Sequence, residues 1–219
     1  MTFKIFTDEL TIGRKTLIPP HAIEDYIIRG ETVIIVVGTS RKRVYENPDF
    51  EVPVDGQNVL AFDRNAQIQW IIDSVDTKGD ETYHYELWKV GNHYLTRHTS
   101  GTVQFDPDTG TVLDTLRDHQ LPIGSEIVEL SSQVHDVVEF DDAVFVACDI
   151  DATHQLYAFE ADGTERWRSA ANERRGTIFV EDGELYEQTA ENRTTDHRYR
   201  LDPDTGDRYD REVIDTGPY

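Results

Sequence analysis

A short pattern recurs four times in this chain, and it constrains the fold more than any other feature. The copies are Val59-Leu60-Ala61-Phe62-Asp63-Arg64-Asn65-Ala66, Val103-Gln104-Phe105-Asp106-Pro107-Asp108-Thr109-Gly110, Leu156-Tyr157-Ala158-Phe159-Glu160-Ala161-Asp162-Gly163 and Tyr199-Arg200-Leu201-Asp202-Pro203-Asp204-Thr205-Gly206. Each reads as an alternating strand, an acidic residue, a tight turn and a second strand. The apolar residue before the acid falls at 62, 105, 159 and 201, at intervals of 43, 54 and 42. Self-similar β units at roughly 40–50 residues are the mark of propeller blades.

Four strands can be placed around each copy, giving blade repeats over 24–73, 85–116, 134–169 and 177–213. Arg29-Gly30-Glu31, Gly91-Asn92, Asp141-Asp142 and Asp182-Gly183 join the first strand of each unit to the second. Gly, Asn and Asp tolerate the positive φ that tight hairpins require. No helix stands out. Ile127-Val128-Glu129-Leu130 reads as a short strand or a helical turn. Residues 1–20 lie outside the units and hold two candidate strands, Phe3–Phe6 and Leu10–Ile12. They either close the ring by pairing with an outer strand or contribute part of a fifth blade. The expected fold is all-β: residues 1–219 form one small β-propeller of about four, or else five, four-stranded antiparallel blades.

Charge bounds the partners. The chain has 43 Asp+Glu against 21 Lys+Arg, a net charge of −22. Ten per cent aromatic residues and strand periodicity throughout argue against disorder. The bases are 16 Arg and only 5 Lys, and 25 of the acids are Asp. At molar salt the Debye length is about 3 Å, which screens an acidic shell that would otherwise repel itself. The composition therefore resembles that of cytoplasmic proteins of extreme halophiles, and acidity reports the solvent more than the partner. Nucleic-acid binding through a broad basic face is not expected.

Cys148 is the only cysteine, so no intramolecular disulfide can form; it sits in the apolar run Ala143–Cys148, as a buried small hydrophobe would. No apolar stretch approaches the roughly 18 residues of a membrane span, and the first residues carry no apolar signal core. The expected location is the cytoplasm, with no membrane partner.

The units resemble the repeat of the pyrroloquinoline-quinone-like β-propellers, roughly Leu-Tyr-Ala-Leu-Asp-Ala-x-Thr-Gly followed four residues later by Trp. Leu156–Gly163 with Trp167 matches it well, and so does Leu60-Ala61-Phe62-Asp63 with Trp70. The second and fourth copies keep Asp-Pro-Asp-Thr-Gly but have Asp114 and Asp210 at the Trp position, preceded by Leu113 and Tyr209. The resemblance implies the fold. Relatives with quinone chemistry are typically eight-bladed and use a calcium-bound quinone with a catalytic Asp; four units cannot build that ring. The outer-membrane assembly lipoprotein of the superfamily is a scaffold without enzymatic activity.

Catalytic and metal-binding motifs are sparse. The Asp-Pro-Asp-Thr-Gly turns lack the Asp-x-Asp-x-Asp-Gly loop with its distal Glu, and turn chemistry accounts for every residue in them. The eight histidines form no HxH or HExxH, so no metal is expected; no GxSxG occurs, and no cofactor is expected. Asp25, Glu86, Asp136 and Glu181 fall on the innermost strands, which leaves an enzyme acting on a small polar or anionic substrate at the channel mouth as an alternative. A subunit of a larger assembly is another.

Cationic clusters are scarce in such a chain. Arg41-Lys42-Arg43 lies in the long loop Gly38–Gln57, and Arg174-Arg175 lies in the interblade loop Ala170–Gly176. Blade topology puts both loop types on one face, opposite the Asp-Pro-Asp-Thr-Gly turns. Arg41, Lys42, Arg43, Arg174 and Arg175 are therefore the expected contact for an anionic ligand or another protein, against the plainer account in which each pairs with local acids. The expected role is non-catalytic binding or scaffolding. Oligomeric state is left open.

Overall fold

The computed structural model describes residues 2–38, 45–52, 56–75, 83–98, 101–150, 153–170, 176–190 and 195–215. Among these residues there are strands and turns but no helix, and so none long and apolar enough to cross a membrane. The first sheet holds β1 (Phe3–Phe6), β2 (Glu9–Ile12) and β3 (Lys15–Leu17). A four-stranded sheet follows with β4 (Ile23–Arg29), β5 (Thr32–Val37), β6 (Val59–Phe62) and β7 (Ile68–Ile71). The next holds β8 (His84–Val90), β9 (His93–His98), β10 (Gly101–Phe105) and β11 (Val112–Leu116). A hairpin of β12 (Gln120–Ile123) and β13 (Glu126–Glu129) comes next. Then come β14 (Gln133–Phe140), β15 (Ala143–Ile150), β16 (Thr153–Glu160) and β17 (Glu165–Arg168). Last are β18 (Gly176–Glu181), β19 (Glu184–Ala190), β20 (Thr195–Leu201) and β21 (Arg208–Asp215).

In every sheet sequential strands are antiparallel neighbours. The fold is of the small β-propeller class, with five blades: the four expected units and β1-β2-β3. The N-terminal strands thus make a sheet of their own, including a third strand, Lys15–Leu17, that the sequence did not suggest. Ile127–Glu129 belongs to strand β13, in register with β12, and not to a helical turn.

The chain divides into two compact units, one of Met1–Trp88 with Tyr94–Arg117, the other of Lys89–His93 with Asp118–Tyr219. In the first unit, Val33 to Val37 on β5 and Val59 to Ala61 on β6 are fully buried. Such strands are apolar on both faces, which is why they read as continuous runs. Alternate residues feed two cores. Leu10, Ile12, Val33, Ile35, Leu60 and Phe62 form one. Ile34, Val36, Ala61, Trp70, Tyr94 and Phe105 form the other. The second unit is built around Phe145, Ala147, Leu156, Ala158, Ile178 and Leu201.

The two units repeat one plan. Leu10, Ile12 and Gly13 of the first return as Leu121, Ile123 and Gly124 of the second, each Gly at positive φ. Ile23 and Asp25 return as Val134 and Asp136, and both strands carry a bulge at that place. Trp70 and Trp167 each donate their indole N–H to a proline carbonyl in the Asp-Pro-Asp-Thr-Gly turn of the next blade, Pro107 at 3.1 Å and Pro203 at 2.9 Å. This explains the two blades without Trp. The indole is not a feature of every blade; it packs under the turn of its neighbour, once per unit. Leu113 and Tyr209 stand exposed instead.

Candidate functional site

The turns behave as turn chemistry predicts. Asp106 Oδ1 accepts the Asp108 N–H at 2.7 Å, and its carbonyl accepts the Gly110 N–H at 2.8 Å. Asp202 does the same for Asp204 and Gly206, at 2.8 Å each. Gly110 and Gly206 take φ of 74° and 75°. Cys148 is fully buried, and burial beside Asp149 pushes its thiol up to about 12.

The innermost-strand carboxylates have structural partners. Asp25 Oδ2 accepts the Leu87 N–H at 2.7 Å and Oδ1 accepts the Tyr26 N–H at 2.8 Å. Asp136 repeats this with Ile178 at 3.0 Å and Val137 at 2.9 Å. Each Asp thereby ties one blade to the first strand of the next, from the place of the bulge in its own strand. Glu86 pairs with Arg97 at 3.2 Å, and Glu181 pairs with Arg198. Replacing Asp25 or Asp136 with Ala strands a backbone N–H, which costs about 1–3 kcal/mol. Both variants are expected to lose that much in denaturant unfolding, and the Asn variants, which keep an acceptor, less. An Ala variant as stable as wild type would remove the tie from the account.

Cations on the strands are likewise taken up. Arg29 pairs with Asp108, and Arg166 holds Glu160 at 2.8 Å and Asp204 at 3.4 Å. Arg200 holds Glu184 at 2.9 Å, and Arg208 binds Glu187 through two nitrogens. Arg29 and Arg166 hold Asp108 and Glu160 below the usual carboxylate range. Arg41, Lys42, Arg43, Arg174 and Arg175 all lie outside the described residues. The loop that carries the first three is nonetheless anchored on its return limb. Phe50 packs edge-on against Phe62 at 5.1 Å, and Asp49 accepts the Ile18 N–H at 2.7 Å.

Each unit also buries a polar cluster that no motif announced. In the first, the Asn58 amide donates to the carbonyls of Val37 at 2.8 Å and His84 at 2.6 Å, and accepts the His84 N–H at 2.9 Å. The His84 and His98 rings lie 5.1 Å apart. Burial, then the neighbouring His98, holds His84 down at about 3, and burial also lowers His98. In the second unit, His154 is fully buried between Glu187 at 3.5 Å and Asp149 at 3.8 Å. Gly176 adjoins it, where a Cβ would stand 2.9 Å from both the Gln188 carbonyl oxygen and Thr189 Cγ2. Burial outweighs both carboxylates and lowers His154. The first unit has Gly38, Gln57 and Thr96 where the second has Asp149, His154 and Glu187. The ionic cluster is therefore not demanded by the shared plan. Among the described residues no three His, Cys, Asp or Glu are placed to hold a metal ion.

The second unit has a cavity of about 600 Å³ where three hairpins meet, lined in part by Gly91, His93, Gly124, Glu139, Asp141 and Asp142. His93 Nε2 lies 2.8 Å from the Gly124 carbonyl, and Glu139 takes Lys89 at 3.0 Å. Its rim is acidic, so it offers no seat for an anion.

One family's sequence profile, described as a domain of unknown function (DUF7957), matches residues 2–117 and again residues 115–213. The chain belongs to this family. The two DUF7957 matches fall on the two structural units, as the repeated latches and indole contacts require. Among curated proteins nothing matches. Among solved structures, a prolyl endopeptidase is similar with a TM-score of 0.49 and 11% identity, over 85% of this chain and 25% of that one. The extracellular domain of a putative hybrid two-component system from B. thetaiotaomicron has a TM-score of 0.49 and 10% identity, over 97% and 26%. The N-terminal domain of Nup159 has a TM-score of 0.39 and 9% identity, over 85% and 60%. The DUF7957 chain thus spans about a quarter of the length of the first two.

Proposed function

We propose that this DUF7957 protein is a non-catalytic binding module that engages an anionic ligand or an acidic protein segment through its loops. The observation that carries this is the anchored loop between β5 and β6. Its described limb is pinned by Phe50 and Asp49 to the first unit. Function on a propeller sits on such loops, displayed by a fixed scaffold. The strand arginines named above are neutralised by acids of the strands and turns, so recognition of an anion falls to the loop cations Arg41, Lys42, Arg43, Arg174 and Arg175. Arg suits carboxylate and phosphate through its planar fork. The acidic surface is adapted to molar salt, the blades are of pyrroloquinoline-quinone-like type, and the protein works in the cytoplasm.

The test is capture from host-like lysate at molar KCl, with wild type beside a variant carrying Gln at all five positions and mass spectrometry as readout. A defined partner held by wild type and released by the variant is expected. Equal capture by both proteins overturns the assignment.

A further inference from the structure

Strand β21 is unlike the other outer strands. Outer strands β7, β11 and β17 have four or five residues, and each places at least one side chain partly or fully out of solvent. Short outer strands are how sheets blunt their edges. Strand β21 has eight residues; seven are exposed, and only Ile214 is partly buried. Among the described residues, the core cluster of the second unit draws side chains from β14 to β20 and none from β21. One edge of β21 pairs with β20, and among the described residues no strand pairs with the other. Val213, in its C-terminal half, is 59% exposed, the most of any large hydrophobic residue described.

The sequence along this edge is self-complementary. Asp210 takes φ of 49°, and a register shift against β20 breaks the strand there. The straight run is Arg211-Glu212-Val213-Ile214-Asp215, paired with β20 in continuous register from Glu212 to Asp215. Arg211, Val213 and Asp215 share one face, because strand side chains alternate. Laid antiparallel on a second copy about Val213, the run sets Arg211 against the partner's Asp215, Val213 against its twin, and Asp215 against the partner's Arg211. Opposite charges directly across an antiparallel pair are favourable, and a two-fold axis makes both copies use the same patch. Arg211 is held in position across the pair, with Nη2 2.9 Å from His197 Nε2 on β20.

We propose that two copies of the chain associate through β21, joining their last blades into one continuous sheet centred on Val213. This goes beyond the loop-face reading and uses none of its residues. Each copy carries −22, so the pairing belongs to high salt, where mutual repulsion is screened.

Sedimentation of the full chain in molar KCl tests it. Wild type is expected at twice its 25.2 kDa mass. Arg211→Asp puts two carboxylates across each end of the run, and at least a tenfold weaker association is expected. Adding Asp215→Arg to that variant restores complementary pairs and the dimer. Val213→Cys gives an independent readout, since a short bismaleimide should link two copies at the axis while buried Cys148 stays unmodified. A wild type that stays at 25.2 kDa, a dimer indifferent to Arg211→Asp, or a Val213→Cys variant that does not cross-link each overturns the proposal.

Discussion

Replacing Trp70 with Ala is expected to destabilise the protein by about 3–5 kcal/mol, the usual cost of emptying an aromatic site. The indole is 8% exposed, stacks edge-on with Phe105 at 5.8 Å and donates to the Pro107 carbonyl. Its other neighbour makes the experiment specific. A Cβ on Gly110 would stand 2.5 Å from Trp70 Cε3, and φ there is +74°. Gly110→Ala therefore faces two costs: about 1–2 kcal/mol for a left-handed non-glycine, and the clash with the indole. In the Trp70→Ala background the clash with the indole is gone, and the left-handed cost remains with a tight approach of the new Cβ to the Ile71 carbonyl oxygen at 3.1 Å. Denaturant unfolding of the two single variants and the double is expected to be non-additive, the double costing less than the sum by at least about 1 kcal/mol. Strict additivity would mean the indole does not sit under the turn. Gly206, 2.8 Å by the same construction from Trp167 Cε3, predicts the same cycle in the second unit.

Acid is expected to unfold the protein partly through His84. Its folded-state value of about 3 lies below the ordinary 6.5, so the unfolded chain binds the extra proton between those limits. Stability then falls as pH drops through that window, by about 1.4 kcal/mol per unit when fully developed. By pH 4.5 the loss attributable to His84 should reach roughly 2–3 kcal/mol. His98 and His154, also lowered by burial, act in the same direction. Glu24 and Asp25 are raised by burial and oppose it, because their folded forms keep protons that the unfolded chain releases. The difference between wild type and His84→Phe isolates one group. Phe keeps a ring in the site and cannot titrate, so the variant should show a shallower decline in unfolding midpoint between pH 6.5 and 4.5 at constant KCl. Parallel curves for the two proteins would assign acid sensitivity elsewhere.

The blades were legible because their determinants are local. Hairpin turns announce themselves through Gly30, Gly91, Asp141-Asp142 and Asp182-Gly183, and all take positive φ. Continuous runs such as Val33–Val37 and Ala143–Cys148 announce strands buried on both faces. The spacing also held more than a fourfold repeat. The intervals of 43, 54 and 42 alternate short, long, short, which marks two pairs of blades, and Leu10-Thr11-Ile12-Gly13 against Leu121-Pro122-Ile123-Gly124 would have confirmed the duplication. Lys15–Leu17 was not legible, because three residues carry no readable period.

The polar clusters were not legible. Asn58, His84 and His98 are far apart in sequence, and nothing about any one of them distinguishes a buried imidazole from an exposed one. His154 and Glu187 come together only because two blades pack. Asp25 and Asp136 looked like channel carboxylates, yet a bulge and an amide from the next blade make them latches. Most of the strands, the turns and the acidic surface were written locally, since each depends on neighbours a few residues away. Which polar groups lie buried beside one another, which indole sits under which turn, and that β21 keeps its side chains in solvent emerged from the folded chain alone, because burial and long-range pairing depend on packing between blades.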